Sequence, residues 1–155
     1  MRKPPVNEQQ TGAIVTVLSV SPLEEDHRSL ENILQHSNWK LYRADQVGCA
    51  TEVIRDQRIG VVLCESDLLT GSWIDLLREV AAVPCSPPVI VTSRHADDRL
   101  WSQALNLGAY DVLAKPFRMR EVFRSVSLAW QSWRLRDDQF RHHTPGKGLA
   151  MRAAS

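Results

Sequence analysis

The chain has 155 residues, 43% apolar and 24% charged, with nineteen Lys and Arg against eighteen Asp and Glu. That is enough chain for one domain with a complete core, and the near-neutral balance excludes a net field that would draw it to nucleic acid or a membrane surface. No apolar run approaches the roughly 18 residues of a membrane span, Met1-Arg2-Lys3-Pro4-Pro5 does not open a signal peptide, and the scattered Cys49, Cys64 and Cys85 read as reduced thiols of a cytoplasmic protein, not as a disulfide frame or metal site.

Residues 1–12 read as a polar leader. Ala13 to Val20 is a β-rich apolar run of buried-strand length. Ser21-Pro22 then opens a helix, Ser as N-cap and Pro in the first turn. Glu24, Glu25 and Asp26 sit where the helix dipole favours acids, and Leu23, Leu30, Ile33 and Leu34 form the apolar face. A short strand is predicted over Trp39–Arg43 and a helix over Val47–Arg55. Ile59–Cys64 is apolar throughout, as a strand buried on both faces must be. A loop, Leu68–Ser72, leads to a helix over Trp73–Val80. Prolines 84, 87 and 88 end it before the strand Pro88–Ser93. A helix over Asp97–Leu107 stops at Gly108 in a C-cap role, and the strand Ala109–Ala114 follows. Met119, Val122, Phe123, Val126, Trp130 and Trp133 recur at three- and four-residue steps, the mark of a long amphipathic helix. Residues 13–135 form the domain, and 136–155 read as a polar, flexible tail.

Five strands alternating with helices predict an α/β fold: a flavodoxin-like, doubly wound parallel sheet of order 2-1-3-4-5, with helices on both faces. Such sheets keep their sites at the C-terminal ends of the strands. One strand ends there on Thr92-Ser93 and the last on Lys115-Pro116-Phe117. This pairing resembles the receiver domain of bacterial two-component response regulators, and the likeness covers about Ala13 to Arg134. The resemblance implies an acid pair after strand 1 that holds Mg²⁺, a phosphoaccepting aspartate at the end of strand 3, a hydroxyl ending strand 4, and the lysine.

Thr92, Lys115 and Pro116 match that pattern; the acids do not. Ser21 and Pro22 stand at the acid-pair positions, and neither is a good Mg²⁺ ligand. Glu24, Glu25 and Asp26 lie one turn into the helix; they read first as dipole partners and otherwise as relocated acids that supply a ligand if the loop shifts. Glu65 stands at the phosphoacceptor position, one methylene longer than aspartate, and Asp67 is the only aspartate nearby. The expected arrangement is a Glu65–Lys115 ion pair with Thr92 as a neighbouring hydrogen-bond donor. It either locks the pocket in one state or merely satisfies two charges. The switch position three residues before the lysine is Val112, a stiff aliphatic that cannot act as a lever.

The expected function is therefore a receiver-like signalling module, atypical in its phosphorylation site, that works by protein contact and is not an enzyme. It needs no cofactor; Mg²⁺ enters only if Asp67 or relocated acids restore phosphorylation. A flavodoxin-like cofactor binder is the third reading, opposed by the acids after strand 1 and by the absence of a glycine-rich phosphate loop. The implied partner is a sensor kinase, a downstream regulator or a second copy, met through the helix 4–strand 5–helix 5 face. Trp101, Trp130 and Trp133 read first as core packing, with a partner or dimer surface as the alternative that makes them interface candidates.

Overall fold

The computed structural model describes residues 14–154, with side chains to residue 141; the leader lies outside the described residues. The elements are β1 (Thr16–Val20), α1 (Glu24–Leu34), β2 (Lys40–Ala44), α2 (Val47–Asp56), β3 (Val61–Glu65), α3 (Trp73–Ala81), β4 (Val89–Ser93), α4 (Asp98–Asn106), β5 (Asp111–Ala114) and α5 (Met119–Ala154). The sheet is parallel throughout in the order β2-β1-β3-β4-β5, as expected.

Side-chain alternation along the strands divides the core in two. Val17, Val61, Leu63, Ile90 and Leu113 point to the face covered by α1 and α5, where they meet Leu30, Val122 and Val126. Leu18, Val20, Val62, Cys64 and Val91 point to the opposite face and pack with Ala50, Ile54, Leu76 and Ala104 from α2, α3 and α4. Both faces are dry, so β3 and β4 are buried at every residue. The apolar runs of the sequence follow from that.

Two helix starts illustrate how side chains set local structure. Ser72 caps α3 with a reciprocal capping box to Asp75. Ser21, expected to cap α1, does not. The helix begins at Glu24 behind an extended Leu23 without a side-chain cap, two residues past Ser21. At the far end of α4, Gly108 adopts φ +107°, a conformation glycine reaches without Cβ strain.

The C-terminal helix departs most from expectation. It does not end at residue 135 but runs on through the segment read as a tail. Its continuation is anchored to the body. The buried Asp137 carboxylate pairs with Arg58 in the α2–β3 connection and with Arg141 one turn on, and Arg136 donates to the Ser86 carbonyl at 3.3 Å.

Trp130 and Trp133 are not surface anchors either. Trp133 is buried, donates its indole N–H to the Cys85 carbonyl at 3.1 Å and lies under the Arg58 guanidinium. Trp130 packs on the backbone of Gly60, where a Cβ would stand 2.7 Å from the indole Cδ1. Gly60→Ala is accordingly expected to lower unfolding free energy by about 1–3 kcal/mol through overpacking. A urea titration followed by tryptophan fluorescence measures it, and an unchanged midpoint would refute this packing argument. Only Trp101 of the three is exposed, at 39%.

Candidate functional site: a buried lysine between two carboxylates

Strand register brings the site together. Val20 lies beside Cys64, Glu65 beside Thr92, and Ser93 beside Ala114. Ser21, Glu65, Thr92, Ser93 and Lys115 therefore meet at the C-terminal edge of the sheet. The Lys115 amide is fixed by the Ser93 carbonyl at 2.9 Å.

Glu65 ends β3 and is 4% exposed. Its Oε1 pairs with the Lys115 ammonium. Its Oε2 accepts from the Asp67 amide at 2.9 Å and from the Ser66 hydroxyl at 3.3 Å. The expected ion pair is thus present, in a largely dry setting. Thr92 contributes differently from expectation. Among the described residues its hydroxyl makes no hydrogen bond to Glu65. Its carbonyl accepts from the Ser66 amide at 2.8 Å instead.

A second carboxylate completes the site. Asp26, 5% exposed, accepts at Oδ2 from Lys115 Nζ at 2.7 Å and from the Ser21 hydroxyl at 2.6 Å. Asp26 is thus a structural ligand of the lysine, correcting its reading as a dipole partner. Glu24 and Glu25 do remain on the surface, paired with Arg43 and Arg94. The next residue, His27, is also buried. The Ser21 carbonyl can only accept, so His27 Nε2 carries the proton to it at 2.9 Å, and Nδ1 meets the Ser19 hydroxyl at 3.0 Å. Ser21 is the node of this network: its hydroxyl also accepts from the Leu23 amide at 3.0 Å. Sequence reading named Asp26 among the alternative acids but not its contact with Lys115, and it missed the parts of His27 and Ser19.

The remaining candidates fall around this centre. Pro22 and the exposed Asp67 line a cleft of about 310 Å³ above Lys115, with Leu69 and His95 at its lip. Pro116 and Phe117 line a second cleft on the other side. Val112 is 6% exposed and packed within the α2–α4 face of the core. Tyr110 is 40% exposed at the opposite end of β5.

Cys64 adjoins the site from below. Burial, and then the neighbouring Glu65 carboxylate, push its thiol far above the ordinary range. Cys85 is raised more mildly by desolvation, which Arg136 opposes. Since the thiolate is the reactive form, a disulfide reagent at pH 8 should modify the partly exposed Cys49 and Cys85 and spare Cys64 until the chain unfolds. Rapid modification of all three in the native protein would contradict the burial described.

The fold is the one the sequence resemblance implies, and comparison with known proteins agrees on the family. A family model described as the response regulator receiver domain matches residues 24–127. The chain belongs to the response regulator receiver family. Curated relatives of this receiver include the regulatory protein VirG of Rhizobium radiobacter, 29% identical over 79 residues, 51% of this chain and 30% of VirG. The two-component response regulator ARR12 of Arabidopsis thaliana is 28% identical over 108 residues, 68% of this chain and 18% of ARR12. The chain thus spans less than a third of either relative. Among solved structures, the signal receiver domain of an HD domain-containing protein from Pseudomonas fluorescens Pf-5 superposes with TM-score 0.73 at 20% identity, covering 81% of this chain and 93% of that one. The beryllofluoride-activated NtrC4 receiver domain dimer gives 0.69 at 24% identity, covering 76% and 98%. These likenesses establish the fold.

Proposed function

We propose that this receiver domain signals by protein–protein contact and does not pass through an aspartyl phosphate. The observation that carries the reading is the Lys115 ammonium held between the buried Glu65 and Asp26 carboxylates. In a phosphorylatable receiver the lysine must be able to take up phosphoryl oxygens. Here two carboxylates already occupy it. Glu65 carries its charge one methylene beyond the reach of aspartate, and a displacement of about 1 Å is already severe for transfer chemistry.

The donors do not suit Mg²⁺. That ion needs near-octahedral oxygen ligands, whereas Ser21 and Pro22 stand at the acid-pair positions and both inward carboxylates bind an ammonium. No step is therefore routed through a metal. We read the chain as a non-enzymatic module of the cytoplasm; among the described residues no helix is long and apolar enough to cross a membrane. Its partner is a sensor kinase, a downstream regulator or a second copy. The exposed Trp101 and Leu105 of α4 mark the face that would meet it, and one structural relative is itself a receiver domain dimer.

The test is incubation of the full chain with a small-molecule phosphodonor and Mg²⁺, followed by intact mass. The unmodified mass is expected. A stable phosphoryl adduct mapped to Asp67 would overturn the proposal in favour of relocated phosphorylation.

A further inference from the structure

A further cleft lies at the N-terminal edge of the sheet, at the opposite end of the strands from Lys115. Its volume is about 400 Å³, and its walls come from α3, the α3–β4 connection, the turn before β5 and α5. That size falls in the range of small-molecule sites, roughly 300–1,000 Å³. The floor is the start of two strands, joined where the Tyr110 amide donates to the Val89 carbonyl at 2.7 Å. Leu77, Val80, Pro87 and Pro88 give it an apolar wall.

One charge decides the character of the cleft. Among the described residues that line it, only Arg136 is charged. The guanidinium makes a single hydrogen bond among the described residues, the 3.3 Å one to the Ser86 carbonyl, and no ion pair. It has five N–H donors, so most are unspent. The nearby acids do not answer it: Asp137 is turned to Arg58 and Arg141, and neither it nor Glu79 nor Asp138 lines the cleft. The Ser86 and Tyr110 side chains belong to the same lining, and their hydroxyls make no hydrogen bond among the described residues. The connection that carries Ser86 is also under strain. Cys85 stands at φ +50°, a left-handed conformation unfavourable to a residue with a Cβ. Two side chains of α5 hold it there, the Trp133 indole on the Cys85 carbonyl at 3.1 Å and Arg136 on the next carbonyl. Strained backbone fixed in this way clusters at ligand clamps.

We infer that this cleft binds a small organic monocarboxylate with an apolar body, the carboxylate on Arg136 with the Ser86 and Tyr110 hydroxyls, the body on Leu77, Val80 and the two prolines. Charge and polarity select this class together. A carboxylate matches the planar fork of a single guanidinium. A phosphate ester or nucleotide brings more negative charge than one cation answers, and a free phosphate leaves the apolar wall wet. A neutral apolar molecule covers that wall but takes water from the guanidinium without supplying a counter-charge.

This inference does not depend on the proposed function: a phosphoryl adduct in the mass assay would leave the cleft at the far edge of the sheet as described. The test titrates the isotope-labelled full chain with naphthoate, and with the neutral naphthamide as its twin, followed by amide NMR. Naphthoate is expected to shift the signals of Ser86, Gly108, Ala109 and Tyr110 and to bind about tenfold more tightly than the amide, the difference made by charge-assisted bonds to Arg136. R136Q is expected to erase that preference, and R136K to restore part of it. S86A/Y110F should weaken naphthoate by about threefold to tenfold while leaving its advantage over the amide. Circular dichroism checks that these variants fold. Equal affinity for acid and amide, naphthoate binding unchanged in R136Q, or no shift at about 5 mM probe would overturn the inference. So would shifts centred on Lys115 and His95, which would put the anion in the site already described. Cleft signals that move with protein concentration and not with the probe would overturn it in favour of a second copy.

Discussion

Replacing Lys115 with methionine is expected to lower the free energy of unfolding by about 3–5 kcal/mol in a urea titration at neutral pH. The reason is not the value of the ion pairs themselves, since desolvating three charged groups offsets most of their Coulomb attraction. It is what remains afterwards: Asp26 and Glu65, each about 5% exposed or less, would share a dry edge of the sheet without a counter-charge. The decisive comparison is the triple variant D26N/E65Q/K115M. Its amides keep acceptors for the Ser21 and Ser66 hydroxyls and the Asp67 amide, the three bonds the carboxylates take from neutral donors, so most of the lost stability should return. D26N and E65Q alone should fall between. If K115M costs no more than an exposed substitution, within about 0.5 kcal/mol, the lysine is not the buried keystone described. If the triple variant is no better than K115M, the loss comes from packing and not from stranded charge.

The sheet was legible because its strands are buried on both faces, which leaves unbroken apolar runs between turn signals. The lysine and its glutamate were legible because both stand at strand ends, where the topology decides what meets. Asp26 was hidden by a competing explanation. In Glu24-Glu25-Asp26 the dipole accounts for all three acids alike, yet at 100° per residue only one can face inward. Asp26 is four residues before Leu30 and eight before Leu34, so the buried stripe extended backwards would have singled it out, with His27 alongside. The same periodicity placed Trp130 and Trp133 in line with Val122 and Val126, and so inward. The continuation of α5 had no local signal. It depends on Arg58 and Ser86, which lie 79 and 50 residues from the helix groups they hold.

Glu65→Asp should not restore phosphorylation, although it returns the ordinary acceptor to its position. Shortening the side chain withdraws the carboxylate from Lys115 and from the Asp67 amide together. A loss of about 1–3 kcal/mol in unfolding free energy is expected from those unmade bonds. The lysine then leans wholly on Asp26, already 2.7 Å away and held by Ser21, and is no freer to receive phosphoryl oxygens than before. Ser21 and Pro22 still offer no carboxylate to a divalent ion. With phosphodonor and Mg²⁺ present, the intact mass of E65D should therefore remain that of the bare chain, and its helical content that of the parent. An adduct on the new aspartate would show that one methylene alone had blocked transfer. In that case the Asp26–Lys115 contact would have to open under the approach of a phosphoryl group, and the picture of a cleft held in a single state would fail at its second carboxylate.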